Sequence, residues 1–387
     1  MKFTMCQIDN ALINPPQGTI AERFYDTFWQ QKKSDGYYRP EHFFELPLWI
    51  AEISYILPPS IERQLHIVET WVDGVLLPPS DYYLFSVLDV NLESIERIVG
   101  QNPDKYFICG GYTKLSKHYQ NVIWCNTVQQ FCSMFNLPYS YGTDYSLFAG
   151  IECIPRLTLS TGCKHHCKFC TVPDQLEIKT PEDVRQQCES FQPLKFKLVY
   201  LNDKTFGQAD NCNWLSGVYK RIRLYNPEFE GFIVQTTAAM VCKRPIDFWE
   251  KLHIRIVEIG VETFNDNLLK RYRKPASEHV IDQAIQRLAR AGVKCIANII
   301  LGLPGETEDT YYHTVDFLKW CSYLDYLYSL NIYTLAAYAD SDLGISANAT
   351  DTDELNDDKS FWTPEEREAY RIWSERFYAL GIAIVEE

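Results

Sequence analysis

Residues 160–171 read STGCKHHCKFCT. Three cysteines and two adjacent histidines stand within eight positions, 163 to 170. A zinc site, a disulfide, a redox pair and an iron–sulfur centre are all open to such a cluster. Each demands something different from the rest of the chain. The run just before it, RLTLS (156–160), alternates apolar and polar residues and reads as a strand. The cysteine loop therefore leaves the carboxyl end of a strand.

Downstream, strands and helices alternate. TPEDVRQQCESF (180–191) opens with Thr180 and Pro181, a helix-start signal. KLVYLND (197–203) reads as a strand, NWLSGVYKRIRLY (213–225) as a helix and GFIVQTT (231–237) as a strand. DFWEKLH (247–253) is a short helix and IRIVEIGVET (254–263) a strand. SEHVIDQAIQRLARAG (277–292) carries a serine cap and a closing glycine. KCIANIILGLPGET (294–307) is a strand and turn, EDTYYHTVDFLKWC (308–321) a helix and DYLYSLNIYTL (325–335) a last strand. Six such strands are too few for a closed eight-stranded barrel of about 250 residues. An open, partial barrel fits the length.

Upstream, the first 150 residues read as another α/β layer. ALINPP (11–16) is a short strand ending in a proline turn, and FELPLWIAEISYIL (44–57) has helical spacing. YYLFSVL (82–88), KYFICGGY (105–112) and NVIWC (121–125) are strands, and LESIERIVG (92–100) is an amphipathic helix. In a parallel doubly wound sheet, ligands bind beyond the carboxyl ends of the strands. Asn14 and the Gly110–Gly111 pair would lie there, or serve only as tight turns. A connector rich in Tyr, Gly and Pro follows. The expected fold is α/β throughout: a Rossmann-like domain at 1–136, a connector at 137–154, a partial barrel at 155–338, and an acidic loop with a C-terminal helix at 339–387. That helix follows Thr363 and runs to about Leu380; it would cap the barrel or bind a partner.

The net charge of −14 disfavours a nucleic-acid partner, because binders of phosphate backbones usually carry a basic excess. It suits a small-molecule or peptide substrate. No apolar run nears the roughly 20 residues of a membrane helix. The start, MKFTMCQIDN, lacks a basic-then-apolar signal pattern. A cytoplasmic protein with no membrane association is expected. The 13 cysteines are scattered apart from the one cluster, which argues against a secreted disulfide scaffold.

The cluster spacing is Cys163-x3-Cys167-x2-Cys170. A structural zinc site usually adds a second ligand pair at a distance, and no second CxxC or HxxxH exists here. His165 and His166 are adjacent, so they rarely aim at one ion. A CxxC redox pair leaves Cys163 unexplained. Three thiolates on a short loop suit a cubane 4Fe–4S cluster with one iron left open. Two other classes of protein stay in competition: a zinc-stabilised binding module, and an electron carrier that would need a fourth cysteine.

The loop CKHHCKFC, with an aromatic before its last cysteine, resembles that of the radical S-adenosylmethionine (SAM) superfamily. IPRLTLSTGCKHHCKFC, YLNDKTF, EIGVETFNDNLLKRYRKP and ANIILGLPGETEDT follow in the same order as in that superfamily. They resemble its branch with an N-terminal cobalamin-binding domain, to which ALINPP, YYLFSV and YFICGGY are similar. The resemblance spans residues 1 to about 335. It implies that Cys163, Cys167 and Cys170 ligate the cluster, and that SAM is cleaved there to a 5′-deoxyadenosyl radical that abstracts hydrogen from substrate. It implies Phe169 beside the adenine and Asn202 and Asp203 near the SAM ammonium. Glu262 would meet the ribose or the amino-acid end, Gln235 and Thr236 would face SAM or substrate, and Ile300 and Gly302 would lie under the adenine. Gly302, Pro304 and Gly305 are also explained as turn residues. Lys270, Arg271 and Arg273 read as a solvated basic face. An electron donor such as flavodoxin or ferredoxin is implied.

The chain departs from the branch in places. No Asp-x-His-x-x-Gly string occurs, so the N-terminal domain either binds cobalamin without a histidine below the cobalt or is an empty scaffold. The first case implies C-methylation, the second a cobalamin-free rearrangement, cyclisation or oxidation. The turn AAYADSDL (336–343) lacks the Pro-Gly-Thr of relatives. The three cysteines of a methylthiotransferase's N-terminal cluster are not evident.

Overall fold

The computed structural model describes residues 1–8, 46–68, 76–88, 91–111, 113–151, 153–334 and 341–342. They divide into two compact units. One holds the described residues of 1–155 and 181–196, and the other those of 156–180 and 197–342.

In the first unit, β1 (Lys2–Ile8), α1 (Leu48–Ile56), β2 (Glu62–Val68) and β3 (Tyr82–Val87) are followed by α2 (Leu92–Gln101) and β4 (Phe107–Gly111). Then come β5 (Val122–Trp124) and α3 (Val128–Phe135). The strands form one sheet in the order β2-β1-β3-β4-β5, with every pair parallel. The order reverses between β1 and β3, which is a topological switch point. Cys6, Phe85, Val87, Phe107 and Cys109 pack with Ile95 and Val99 of α2 in the core. The α2 helix forms because Ile95, Ile98 and Val99 recur at helical spacing and all three are buried.

The expected strands at 82–88, 105–112 and 121–125 and the helices at 44–57 and 92–100 are present within the described residues. β1, β2 and α3 were not anticipated. β2 reads ERQLHIV and lies at the sheet edge, so it never needs the continuous apolar run of a central strand. ALINPP and Asn14 lie outside the described residues. Gly110 and Gly111 are explained by packing. A Cβ on Gly110 would strike the carbonyl of Cys125, and one on Gly111, at φ +123°, would strike Val87. α4 (Pro181–Ser190) also belongs to this unit, with Gln186 donating to the Thr143 carbonyl at 2.6 Å.

In the second unit, β6 (Arg156–Leu157), β7 (Ser160–Thr161) and β8 (Glu177–Ile178) surround the cysteine loop. β9 (Leu198–Leu201), α5 (Leu215–Arg223), β10 (Gly231–Thr236), α6 (Ala238–Lys243), α7 (Phe248–Lys251) and β11 (Ile254–Glu262) follow. Then come α8 (Asp266–Arg271), α9 (Glu278–Arg290), β12 (Lys294–Leu301), α10 (Glu308–Tyr323) and β13 (Ser329–Thr334). Six strands make one parallel sheet in sequential order, β6-β9-β10-β11-β12-β13. These are the six strands expected. Ser277 caps α9 by accepting from Val280 N–H, and Gly292 follows its end at φ +64°.

One expected strand is divided. RLTLS is not continuous: Arg156–Leu157 pairs with β9, while Ser160–Thr161 pairs antiparallel with Glu177–Ile178. The two-residue ladder closes the base of the cysteine loop. The sheet has two unlike faces. Val199, Val234, Val257, Ile259, Ala297 and Leu330 share one face by register and are fully buried. The other face carries a polar residue on each strand. The acidic segment and nearly all of AAYADSDL lie outside the described residues, as does the expected helix from Thr363.

Candidate functional site

The cysteine loop is held from both sides. Below it, the segment 203–208 makes successive contacts. Asp203 accepts from Leu159 N–H at 2.9 Å and from Ser160 Oγ at 2.6 Å. Thr205 Oγ1 lies 3.2 Å from Cys163 Sγ. Gln208 accepts from Lys164 N–H and donates to the Gly162 carbonyl, both at 3.0 Å. Gly162 sits at φ +81°, and a Cβ there would strike the Gln175 carbonyl. On the other side, Lys168 N–H donates to the Tyr272 carbonyl at 3.1 Å, and Cys167 Sγ lies 3.8 Å from the Arg273 carbonyl.

Within this frame Cys163 is buried, Cys167 half-buried and Cys170 exposed. Burial pushes the Cys167 thiol up to about 11, against the pull of Lys274. The charges of Cys170 and Cys163 act on it too, so the three sulfurs share one electrostatic neighbourhood. Among the described residues, no three Cys, His, Asp or Glu side chains gather closely enough to hold a single metal ion. A structural zinc would require that. Three thiolates of an iron–sulfur cluster need not meet at one point, because each binds a different iron. The donor set therefore fits the cluster better than a lone ion.

Glu262 ends β11 after an irregularity in register, between Gly260 and Glu262, where β11 pairs with β12. Its backbone is left-handed at φ +61°, a conformation a non-glycine residue rarely holds. This re-aims the carboxylate at Lys274, whose Nζ lies 2.5 Å away. Both side chains are about a tenth exposed, at 10% and 9%. Gly260 makes the room, since a Cβ there would strike both partners. Lys274 also lies over the Phe169 ring at 5.9 Å, and Phe169 packs against Tyr272 with ring centroids 6.4 Å apart. Burial disfavours the Lys274 ammonium, but Glu262 and the cysteines outweigh it and the group is held up.

The other expected residues divide by position. Asn202 is half-buried and accepts from Arg156 at 3.3 Å. Asp203 is buried, with both oxygens accepting from the loop base. Gln235 is half-buried and registers with Glu258. Thr236 takes the opposite face, where it is buried and donates to the Phe206 carbonyl at 2.8 Å. Ile300 is half-buried on β12. Gly302, at φ +90°, donates its N–H to Glu306 at 3.1 Å in the turn that follows. Tyr272 Oη donates to the Pro304 carbonyl at 2.5 Å, tying that turn to the segment after α8. His166 is exposed and His165 half-buried, and burial with the nearby Lys274 pushes the His165 imidazole down.

Sequence reasoning missed Lys274, Thr205 and Gln208. Lys274 closes a basic run, RYRK, of which Arg271 and Arg273 are exposed as expected. A proline follows it, the one local sign that the chain turns there. Also missed was the polar face of the sheet. Register places Arg156, Tyr200, Gln235, Glu258, Asn298 and Asn331 on that face, one from each strand. Tyr200 Oη donates to Glu258 at 3.1 Å across β10, and Asn331 donates to Asn298 at 2.9 Å.

The sequence that carries the cysteine loop and the buried Glu262–Lys274 pair matches one family model. That model, the Radical SAM superfamily, matches residues 157–318. Over that stretch the chain resembles the radical SAM superfamily. The chain is 23% identical over 200 residues to the ribosomal protein uS12 methylthiotransferase RimO of Francisella tularensis subsp. novicida. That match covers 44% of this chain and 44% of the relative, less than half of its length. Among solved structures, the chain resembles TsrM, a radical SAM methyltransferase from Kitasatospora setae solved with cobalamin and a 4Fe–4S cluster. The TM-score is 0.60 at 12% identity, over 90% of this chain and 78% of that one. It also resembles OxsB, a cobalamin-dependent SAM radical enzyme, at TM-score 0.54 and 12% identity, over 93% and 56% of the two chains. These likenesses show a shared fold. Among the described residues, no helix is long and apolar enough to cross a membrane.

Proposed function

We propose that this radical SAM enzyme holds a 4Fe–4S cluster on Cys163, Cys167 and Cys170 and acts on a polar small molecule or peptide. The observation that carries the reading is the cysteine loop itself. It offers three thiols, one short of a complete shell, and is clamped by 203–208 on one side and 271–274 on the other. When SAM is bound at the open iron, such a cluster supplies one-electron cleavage of SAM and a 5′-deoxyadenosyl radical that abstracts hydrogen from substrate. The chain's own residues do the rest. Asp203, Thr205 and Gln208 hold the loop in register. Phe169 offers an aromatic face to the adenine. Glu262, aimed by its left-handed backbone and fixed by Lys274, accepts from ribose hydroxyls or the amino group. Asn202, Gln235, Ile300 and the Gly302 turn complete the SAM side. The polar face from Arg156 to Asn331 presents hydrogen-bonding groups to the substrate. The electron comes from a flavodoxin- or ferredoxin-type donor.

The domain division that goes with this reading is 1–136, 137–154, a partial barrel at 155–338, and 339–387. The strand order of the first unit, with its switch point between β1 and β3, supports a second, more specific reading. That reading is a cobalamin-dependent C-methyltransferase, supported also by the fold shared with TsrM and OxsB. The missing Asp-x-His-x-x-Gly string predicts cobalamin bound without a histidine from below. Without cobalamin, the reading becomes a radical rearrangement, cyclisation or oxidation.

The test is anaerobic. The full chain is reconstituted with iron and sulfide, reduced, and given SAM, and 5′-deoxyadenosine is measured by chromatography. Product from the native chain and none from Cys167→Ala is expected. Equal product from both would sink the assignment. Stoichiometric cobalt after growth with cobalamin would select the methyltransferase reading, and its absence the other.

A further inference from the structure

We infer that Lys274 is a positioning residue that sets the reduction potential at the cysteine loop, as a buried positive charge packed over Phe169 between two of its cysteines. This rests on the cluster reading above. The reason lies in where the cations of this region stand. Lys164, Lys270, Arg271 and Arg273 are exposed, and Arg273 is also paired with Asp342 at 3.1 Å. Water and salt screen such charges within about 10 Å. Lys274 is 9% exposed, lies over Phe169 between Cys167 and Cys170 in sequence, and interacts electrostatically with both cysteines. A charge in that setting acts through a low effective dielectric, where Coulomb interactions are several-fold stronger than in water.

The construction around Lys274 is specific. The chain reverses into it through Arg273, at φ +54°, and Lys274 N–H donates to the Leu269 carbonyl at 2.9 Å. The carbonyls of Tyr272 and Arg273, just before it, receive Lys168 N–H and face Cys167 Sγ. The backbone that positions the ammonium therefore also holds the loop. Glu262 keeps the ammonium charged, and Gly260 leaves space for the pair. Iron–sulfur potentials respond to net charge, hydrogen bonds and solvent exposure around the sulfurs. Reduction adds one electron from an external donor and neither makes nor breaks a bond. A fixed positive charge stabilises the product of that step over the reactant. Lys274 Nζ is the member of the pair that lies over Phe169 of the loop, at 5.9 Å, which places the positive end of the pair at the loop.

The experiment is a redox titration of the anaerobically reconstituted full chain, followed by electron paramagnetic resonance without SAM. It compares the native chain with Lys274→Gln, Lys274→Arg and Arg273→Gln at equal iron content. The expected result is a midpoint shifted to more negative potential in Lys274→Gln, restored in Lys274→Arg and unmoved in Arg273→Gln. Loading that fails in Lys274→Gln but succeeds in Lys274→Arg supports the same charge requirement. An unchanged midpoint in fully loaded Lys274→Gln overturns the inference. So does loss of the cluster from both Lys274 variants with the fold retained, since that marks a packing role. A native chain that takes up no cluster fails earlier, and overturns the cluster reading itself.

Discussion

The carboxylate of Asp203 accepts a hydrogen bond from Ser160 Oγ at 2.6 Å, joining the end of β9 to the first residue of the cysteine loop. The same carboxylate takes Leu159 N–H, so two donors on the loop base depend on one side chain. Strand end and loop therefore form one unit, although 43 residues separate them.

Asp203→Asn leaves one of those donors facing an amide N–H₂. Where the native contribution is complete, it is expected to cost about 1–3 kcal/mol. The cost depends on pH with a definite sign. Burial raises the Asp203 carboxyl, and the bonds from Ser160 and Leu159 lower it only in part. Its folded value stands above the unfolded value of about 3.9. The stability it contributes is thus complete below about pH 4 and lost as pH rises through the raised folded value. The native chain's advantage over Asp203→Asn should shrink across that window in denaturant titrations. An advantage independent of pH would contradict the assignment.

Gly260→Ala places a methyl group against both members of the Glu262–Lys274 pair. Overpacking of this kind costs about 1–3 kcal/mol. With Glu262 displaced, SAM binding to the reconstituted protein should weaken about tenfold or more, equivalent to about 1.4 kcal/mol. Equilibrium dialysis against labelled SAM measures it, and unchanged affinity would remove Glu262 from the SAM site.

Removing the cluster by chelation should leave the second unit folded. The loop already closes through Cys163 N–H to the Pro173 carbonyl at 2.9 Å and Lys168 N–H to the Tyr272 carbonyl at 3.1 Å. This differs from a zinc finger, whose fold is bought by the metal. Hydrogen exchange should accelerate in 162–175 and 271–274 and hold elsewhere in the sheet. Global exchange after chelation would show that the metal carries the fold.

Gly110→Ala drives a Cβ into the Cys125 carbonyl, where backbone has to move. The β4–β5 edge of the first unit should lose about 1–3 kcal/mol, while iron loading at the cysteine loop is retained. Hydrogen exchange on 107–111 and 122–124, beside an iron assay, tests both halves. A fully stable variant would show that the glycine is not required by packing.

Much of this arrangement was legible from local pattern. The three cysteines stand out as one cluster through their spacing. Ser277 and Gly292 mark the ends of α9 because capping is decided within a few residues. The six strands of the second sheet show because buried parallel strands read as continuous apolar runs. β2 was missed because an edge strand carries little of that signal, and β1, KFTMCQI, because Thr4 and Gln7 interrupt its apolar run. RLTLS was misjudged as one strand. Its last residue pairs with Ile178, and no local property of a strand says which partner it will take.

The sequence by itself determined the spacing of the three cysteines, the alternation of strands and helices in the second unit, and the α/β class of fold, because each is read from neighbours along the chain. Only the tertiary structure decided how the site is finished. It turned Gln235 onto the polar face and Thr236 away, since period-two alternation fixes opposite faces but not which one is the interior. It brought Thr205 and Gln208 beneath the loop. It also chose Lys274, rather than the exposed cations before it, as the partner of Glu262. That choice depends on which ammonium the fold withdraws from water, and burial is a property of the whole assembled domain rather than of any stretch of sequence.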